Sequence, residues 1–237
     1  MKPFHGRAWL CPGPSVERLQ PVLTGRPSGP ALHYSRAMKI LAFSDLHTDL
    51  DQAARLVEMS EDADLVIGAG DFASMHEGLG GTLGVLARMN APAVIVPGNN
   101  ERLADIRVAS SSVWREAKVL HGKSVEIDGR TVFGLGGGIP TTPWDWSFDL
   151  TEEEAAEMLE DLPEGAILVV HSPPKGHCDT SGSGDHLGSS AILDAIERTS
   201  PELVVCGHIH EAWGERSTIG NTPIMNLGPT GTWIELD

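Results

Sequence analysis

Lys39-Ile40-Leu41-Ala42-Phe43-Ser44-Asp45-Leu46-His47 is the stretch on which the fold of this chain turns. A short apolar run stops at an acid, and a histidine follows two residues on. Side chains at i and i+2 of an extended segment leave the same face. Asp45 and His47 therefore aim an oxygen and a nitrogen at one place. Four later apolar runs end the same way, in Gly70-Asp71, Gly98-Asn99-Asn100-Glu101, Val170-His171 and Gly207-His208-Ile209-His210. In open α/β sheets, ligands gather beyond the carboxyl ends of the strands. Five polar clusters at five strand ends can meet there.

The segments between these clusters alternate in period. Residues 39–43, 64–68 and 93–96 read as buried strands. Residues 50–60 and 79–89 read as helices, and 101–109 as a short helix. Strand–helix alternation implies a parallel sheet. From residue 118 the pattern changes. Ser124–Ile127 and Thr131–Gly134 flank Asp128-Gly129, which predicts a hairpin. Residues 134–138 are glycine-rich, and 140–148 hold Trp144 and Trp146. Those indoles read equally well as a wall beside a site or as surface packing. A helix is predicted over 151–160, with Thr151 as N-cap and Glu154 closing a capping box. A strand over 166–170, a long Gly/Ser loop over 172–187, a helix over 188–199 and a strand over 202–206 follow. Residues 215–236 alternate around Gly220-Asn221 and predict a closing antiparallel sheet.

Bulk properties narrow the function. The chain has 237 residues, room for one medium domain. No window is apolar enough for a membrane-spanning helix. Three widely spaced cysteines, Cys11, Cys178 and Cys206, make neither a disulfide framework nor a cysteine zinc site and fit a reducing, cytoplasmic setting. The net charge is -16. Residues 1–37 hold five basic residues and one acid, so 38–237 carry 12 basic and 32 acidic residues, or -20 (17 less 5, 33 less 1). A surface that acidic repels a polyphosphate backbone, so long nucleic acid is not an expected partner. Residues 1–37 contain six prolines and no helical or strand period. They read as a disordered extension or a wrongly assigned start, with Met38 as the natural first residue and 38–237 as the folded domain.

In order and spacing, Asp45-x-His47, Gly70-Asp71, Gly98-Asn99, His171 and Gly207-His208-x-His210 closely resemble the calcineurin-like metallophosphoesterases, in their smaller phosphodiesterase-type branch. The resemblance covers residues 38–236. It implies a four-layer α/β/β/α sandwich of two mixed sheets flanked by helices. It also implies a dinuclear hydrolase of phosphate esters, acting on diesters or activated monoesters. Asp45, His47 and His210 would hold one metal, and Asn99, His171 and His208 the other. Asp71 would bridge them, together with a water that attacks as hydroxide. Two metals at such a site supply both a nucleophile and counter-charge for the phosphoryl oxygens. Mixed oxygen and imidazole donors suit manganese, iron, zinc or nickel, with manganese preferred.

One position departs from the pattern. Much of the family carries a histidine after the Gly-Asn, beside the leaving group; here the residue is Asn100, which can donate a hydrogen bond but not a proton. Asn100 is thus a candidate catalytic and substrate contact. The loop from Ser172 to Ser189 resembles the substrate-side loop of the smaller enzymes. His186 in it could replace the missing acid, and Ser189, at a helix start, could touch phosphate or simply cap the helix. His76 and His121 read as surface residues, Glu101 as a helix first-turn acid, and Cys206 as core. The expected partner is a small phosphate ester, with self-association left open. A non-catalytic scaffold of the same fold is the rival reading, and a nuclease a weaker one.

Overall fold

The structure is a computed structural model, and it describes residues 37–237. The reading of residues 1–37 as a disordered or non-native extension lies, but for its last residue, outside the described residues.

In chain order the elements are β1 (Met38–Phe43), α1 (Leu50–Met59), β2 (Leu65–Gly68), α2 (Leu79–Leu86), β3 (Ala93–Ile95), α3 (Leu103–Val113), β4 (Ala117–Val119), β5 (Lys123–Ile127), β6 (Arg130–Leu135), α4 (Glu152–Leu159), β7 (Ile167–Val170), α5 (Ser190–Thr199), β8 (Leu203–Cys206), β9 (Arg216–Ile219), β10 (Thr222–Asn226) and β11 (Thr232–Leu236). They form a five-stranded sheet, β11-β1-β2-β3-β4, and a six-stranded sheet, β5-β6-β7-β8-β10-β9. Within the first, β1 to β4 run parallel and β11 lies antiparallel to β1. Within the second, β6, β7, β8 and β10 run parallel, with β5 and β9 as antiparallel edges.

Side-chain alternation creates three cores from these two sheets. Ile40 and Ala42 of β1, with Ile67 and Val94, meet Val132, Ile167, Val169 and Val205 from the other sheet. Phe43, Val66, Ala93 and Ile95 face outward onto Ala53, Leu56, Leu83 and Ile106 of α1 to α3. Phe133, Leu168, Val170 and Val204 face outward onto Leu159, Ile192 and Ile196 of α4 and α5. Strands buried on both faces read as continuous apolar runs, and these do. The result is the four-layer α/β/β/α sandwich. Among the described residues, no helix is long and apolar enough to cross a membrane.

Local chemistry sets the helix ends. The Asp49 carboxylate accepts the Gln52 N–H at 2.9 Å and starts α1. Thr151 and Glu154 form the reciprocal capping box at α4. Two parts of the chain differ from the sequence reading. Residues 117–119 add a short strand at the edge of the first sheet, too brief to show a period. Residues 215–236 do not close one antiparallel sheet. β9 and β10 form a hairpin on the second sheet, and β11 then crosses to pair with β1 in the first. Both destinations accept the same alternation, so the pattern alone could not separate them.

Candidate metal centre

The parallel strands β1, β2, β3, β7 and β8 deliver their carboxyl ends to one rim, where the predicted donors gather. Asp45, His47, Asp71 and His208 all sit in the left-handed region, with φ of 55°, 42°, 58° and 68°. Non-glycine residues enter that region at a cost of the order of 1 kcal/mol each. The sharp turn it produces swings each side chain off its strand toward the centre. Glycines complete the crowding. A Cβ on Gly98 would lie 2.0 Å from Asp71 Oδ1, and one on Gly207 2.5 Å from Asp45 Oδ2. At these two positions glycine supplies room for the neighbouring carboxylate.

The donors fall into two sets that share Asp71. On the open side, Nε2 of His47 and Nε2 of His210 are 3.1 Å apart, and His210 lies 3.8 Å from Asp45 Oδ1. On the buried side, Asn99 Oδ1 is 3.2 Å from His171 Nε2 and 3.1 Å from His208 Nδ1. Asp71 turns one oxygen to each set: Oδ2 is 3.5 Å from His47 and Oδ1 3.5 Å from His171. Donor atoms of Asp45, His47 and His210 lie within 4.8 Å of one another, as do those of Asp45, Asp71 and His171.

Neighbouring groups orient this cluster. His171 donates from Nδ1 to the Ala69 carbonyl at 2.8 Å, which turns Nε2 inward. Asp45 accepts from the Ser44 hydroxyl at 2.5 Å, from the His208 N–H at 3.1 Å and from the Trp213 indole at 3.1 Å. Asn226 donates to the carbonyls of Gly207 and Ile209, both at 3.2 Å, and so pins the turn that carries His208. Burial lifts Asp45 above the usual carboxylate range. Burial would also lift Asp71, but His171 and His47 hold it below that range. Burial opposes a charge on His171, yet Asp71 and Asp45 raise it to about 9. Burial, followed by the charge of His171, lowers His208 to about 3.

These residues fit divalent metal. Two carboxylates and four imidazoles lie within 3.8 Å of a neighbouring donor, and among the described residues no lysine or arginine lines the adjoining cleft. Such a donor set holds nitrogen- and oxygen-preferring dications, and a cation would take the place of the proton on His171.

Asn100, His186 and Ser189 have different surroundings. Asn100 donates to Asp71 Oδ2 at 2.7 Å and accepts the Met75 N–H at 2.9 Å. Its amide is therefore committed to positioning Asp71, although the residue lines the cleft. His186 pairs with the buried carboxylate of Asp179 at 2.7 Å and is 53% exposed. Asp179 also takes the N–H groups of Gly176 and Gly188, both at 2.9 Å, so the pair braces the loop. Among the described residues His186 does not line the cleft; Leu187 does. Ser189, read from sequence as either a phosphate contact or a plain helix cap, takes the second role. It is fully buried, caps α5, and donates to Glu152 at 2.7 Å. Glu152 also accepts the N–H groups of Ser190 and Ala191, so its carboxylate occupies the place an anion would take at this helix start.

Three other residues were misjudged or missed from sequence. Glu101 precedes α3 rather than opening it. It is buried beneath Asp71 and accepts the Gly98 N–H at 2.9 Å. Burial, then the charge of Asp71, pushes it up to about 8. His121 is buried, not at the surface, and accepts the Gly136 N–H at 3.2 Å. Trp213 packs against His210 with centroids 4.4 Å apart and planes tilted by 34°, and no spacing rule points to it.

Residues 38–212 match the family model for calcineurin-like phosphoesterases. The chain belongs to that family. Among curated relatives, a UPF0046 protein of Caenorhabditis elegans is 29% identical over 127 residues, covering 50% of this chain and 30% of its own. Metallophosphoesterase domain-containing protein 1 of Homo sapiens is 33% identical over 113 residues, covering 45% and 33%. The matches thus span about a third of each of these relatives. The Thermus thermophilus protein TT1561 superposes with a TM-score of 0.67 at 19% identity, over 82% of this chain and 91% of that one. This likeness is one of fold. The calcineurin-like phosphoesterase family typically binds divalent metals, and the donor cluster offers candidate ligands for them.

Proposed function

We propose that the chain is a metal-dependent hydrolase of small phosphate esters, either diesters or activated monoesters. One observation carries this reading: seven nitrogen and oxygen donors from five strand ends converge, five of them lining one cleft, with Asp71 turned to both sets. Asp45, His47 and His210 would hold one divalent cation, and Asn99, His171 and His208 the other, with Asp71 shared. Bound cations supply Lewis acidity toward the phosphoryl oxygens and an activated water.

The chain's own groups do the rest. Asn100 fixes both oxygens of Asp71, one by its N–H at 2.8 Å and one by its amide at 2.7 Å. Ser44, Trp213 and the His208 N–H hold Asp45, and Ala69 holds His171. The cleft, of about 610 Å³, admits a small ester. With Asn100 unable to give up a proton, departure of the alcohol depends on its own acidity.

The test is hydrolysis of bis(nitrophenyl) phosphate by protein loaded with manganese, before and after chelation. Activity that chelation abolishes and manganese restores is expected. Absence of hydrolysis of mono- and diesters with every divalent metal tried would instead favour a scaffold.

A further inference from the structure

The cleft has two unlike walls. One holds the donor cluster. The other is mostly apolar, with Met75, Pro140, Pro143, Trp144, Trp146 and Leu187 beside Ser74, Thr141 and Thr142. Trp144 and Trp146 stack at 5.6 Å with their planes 9° apart. Large apolar side chains are normally covered, yet Met75, Trp144 and Leu187 are 59%, 50% and 47% exposed, all on this wall.

The loop carrying the indoles is fixed to the donor cluster. Asn99 donates to the Ser147 hydroxyl at 2.9 Å, and Ser147 donates to Asp149 at 2.6 Å. Asp149 takes the Thr142 N–H and hydroxyl, both at 2.7 Å. The Phe148 N–H reaches the Asn99 carbonyl at 2.9 Å, and His76 reaches the Trp146 carbonyl at 2.6 Å. A wall tied this way is set before ligand arrives, so little ordering opposes binding. Among the described residues the lining holds no lysine or arginine, and it includes Glu211. A second anionic group on the substrate would find no counter-charge there.

We infer that Trp144 and Trp146 select the organic half of the substrate, which is flat, aromatic and uncharged, carried on a single phosphate. This inference rests on the phosphoesterase reading and adds the substrate class to it. Aryl rings stack on indole faces; polyphosphates and sugars bearing several phosphates are refused.

The test is calorimetric binding of phenylphosphonate, methylphosphonate, pyrophosphate and inorganic phosphate to the full chain loaded with manganese. Phenylphosphonate is expected to bind at least about fivefold tighter than methylphosphonate, within the range of one ring stacked on an aromatic side chain. Pyrophosphate should gain nothing over phosphate beyond what free metal explains. Trp144→Ala should remove the phenyl preference and leave methylphosphonate affinity within about twofold, and Trp144→Phe should keep part of the preference. Equal affinity of the wild-type protein for the two phosphonates, or a preference that survives both Trp144→Ala and Trp146→Ala, would overturn the inference while leaving the metal centre intact. If neither phosphonate nor phosphate binds the metal-loaded protein, the phosphoesterase reading itself fails, and the inference with it.

Discussion

At the scale of single residues, the site is held by partners that make no bond to its centre. His186 illustrates this. Its ring hydrogen-bonds buried Asp179 at 2.7 Å from an exposed loop, and that carboxylate also ties together the N–H groups of Gly176 and Gly188. His186→Ala should therefore change turnover of nitrophenyl and alkyl esters by similar, small factors. A general acid would instead show a roughly 10²–10⁴-fold loss confined to alkyl esters, whose leaving groups need a proton. Parallel rate measurements on the two ester classes separate these outcomes. His121 gives a second residue-scale expectation. Burial, then the positive charge of Arg107, lowers it to about 4. The unfolded chain, with an ordinary histidine near 6.5, binds the extra proton between those values. The stability tied to His121 is thus complete above about pH 6.5 and lost as pH falls toward 4. Urea titrations across that window should show a shallower fall for His121→Gln than for wild type. Equal slopes would show that His121 titrates normally.

At the scale of elements, apolar runs and caps were readable, and relations between distant segments were not. β1, β2, β3, β7 and β8 were each visible as short aliphatic runs ending in polar residues. The capping box at Thr151 was visible because both partners lie within one turn. Glu152 was not, because the groups it caps lie 37 to 39 residues away, at Ser189, Ser190 and Ala191. That carboxylate joins the starts of α4 and α5. Glu152→Ala should cost roughly 1–2 kcal/mol, from lost charge-assisted hydrogen bonds and a lost acid at a helix N-terminus. A urea midpoint unchanged from wild type would contradict this role. The destinations of β9 to β11 were likewise hidden, since an alternating strand suits either sheet edge.

At the scale of the whole molecule, two mixed sheets stacked face to face bring their parallel strand ends to one rim, and the helices and loops of the described residues support that meeting. The order and spacing of the donors, through their resemblance to the family, pointed to the seven-residue cluster before any fold was known. Burial of Glu101 beneath Asp71, the Trp213 bond to Asp45 and the tie from Asn99 to the indole loop depend on side-chain placement, which spacing does not encode. The proposed function rests on Asp71 joining two metal sites. Elemental analysis after manganese loading and desalting tests it most directly. Wild-type protein should retain two metal equivalents per chain, and Asp71→Asn at most one, with its fold intact by circular dichroism. A wild-type protein that retains none, or an Asp71→Asn variant that retains two, would contradict the claim.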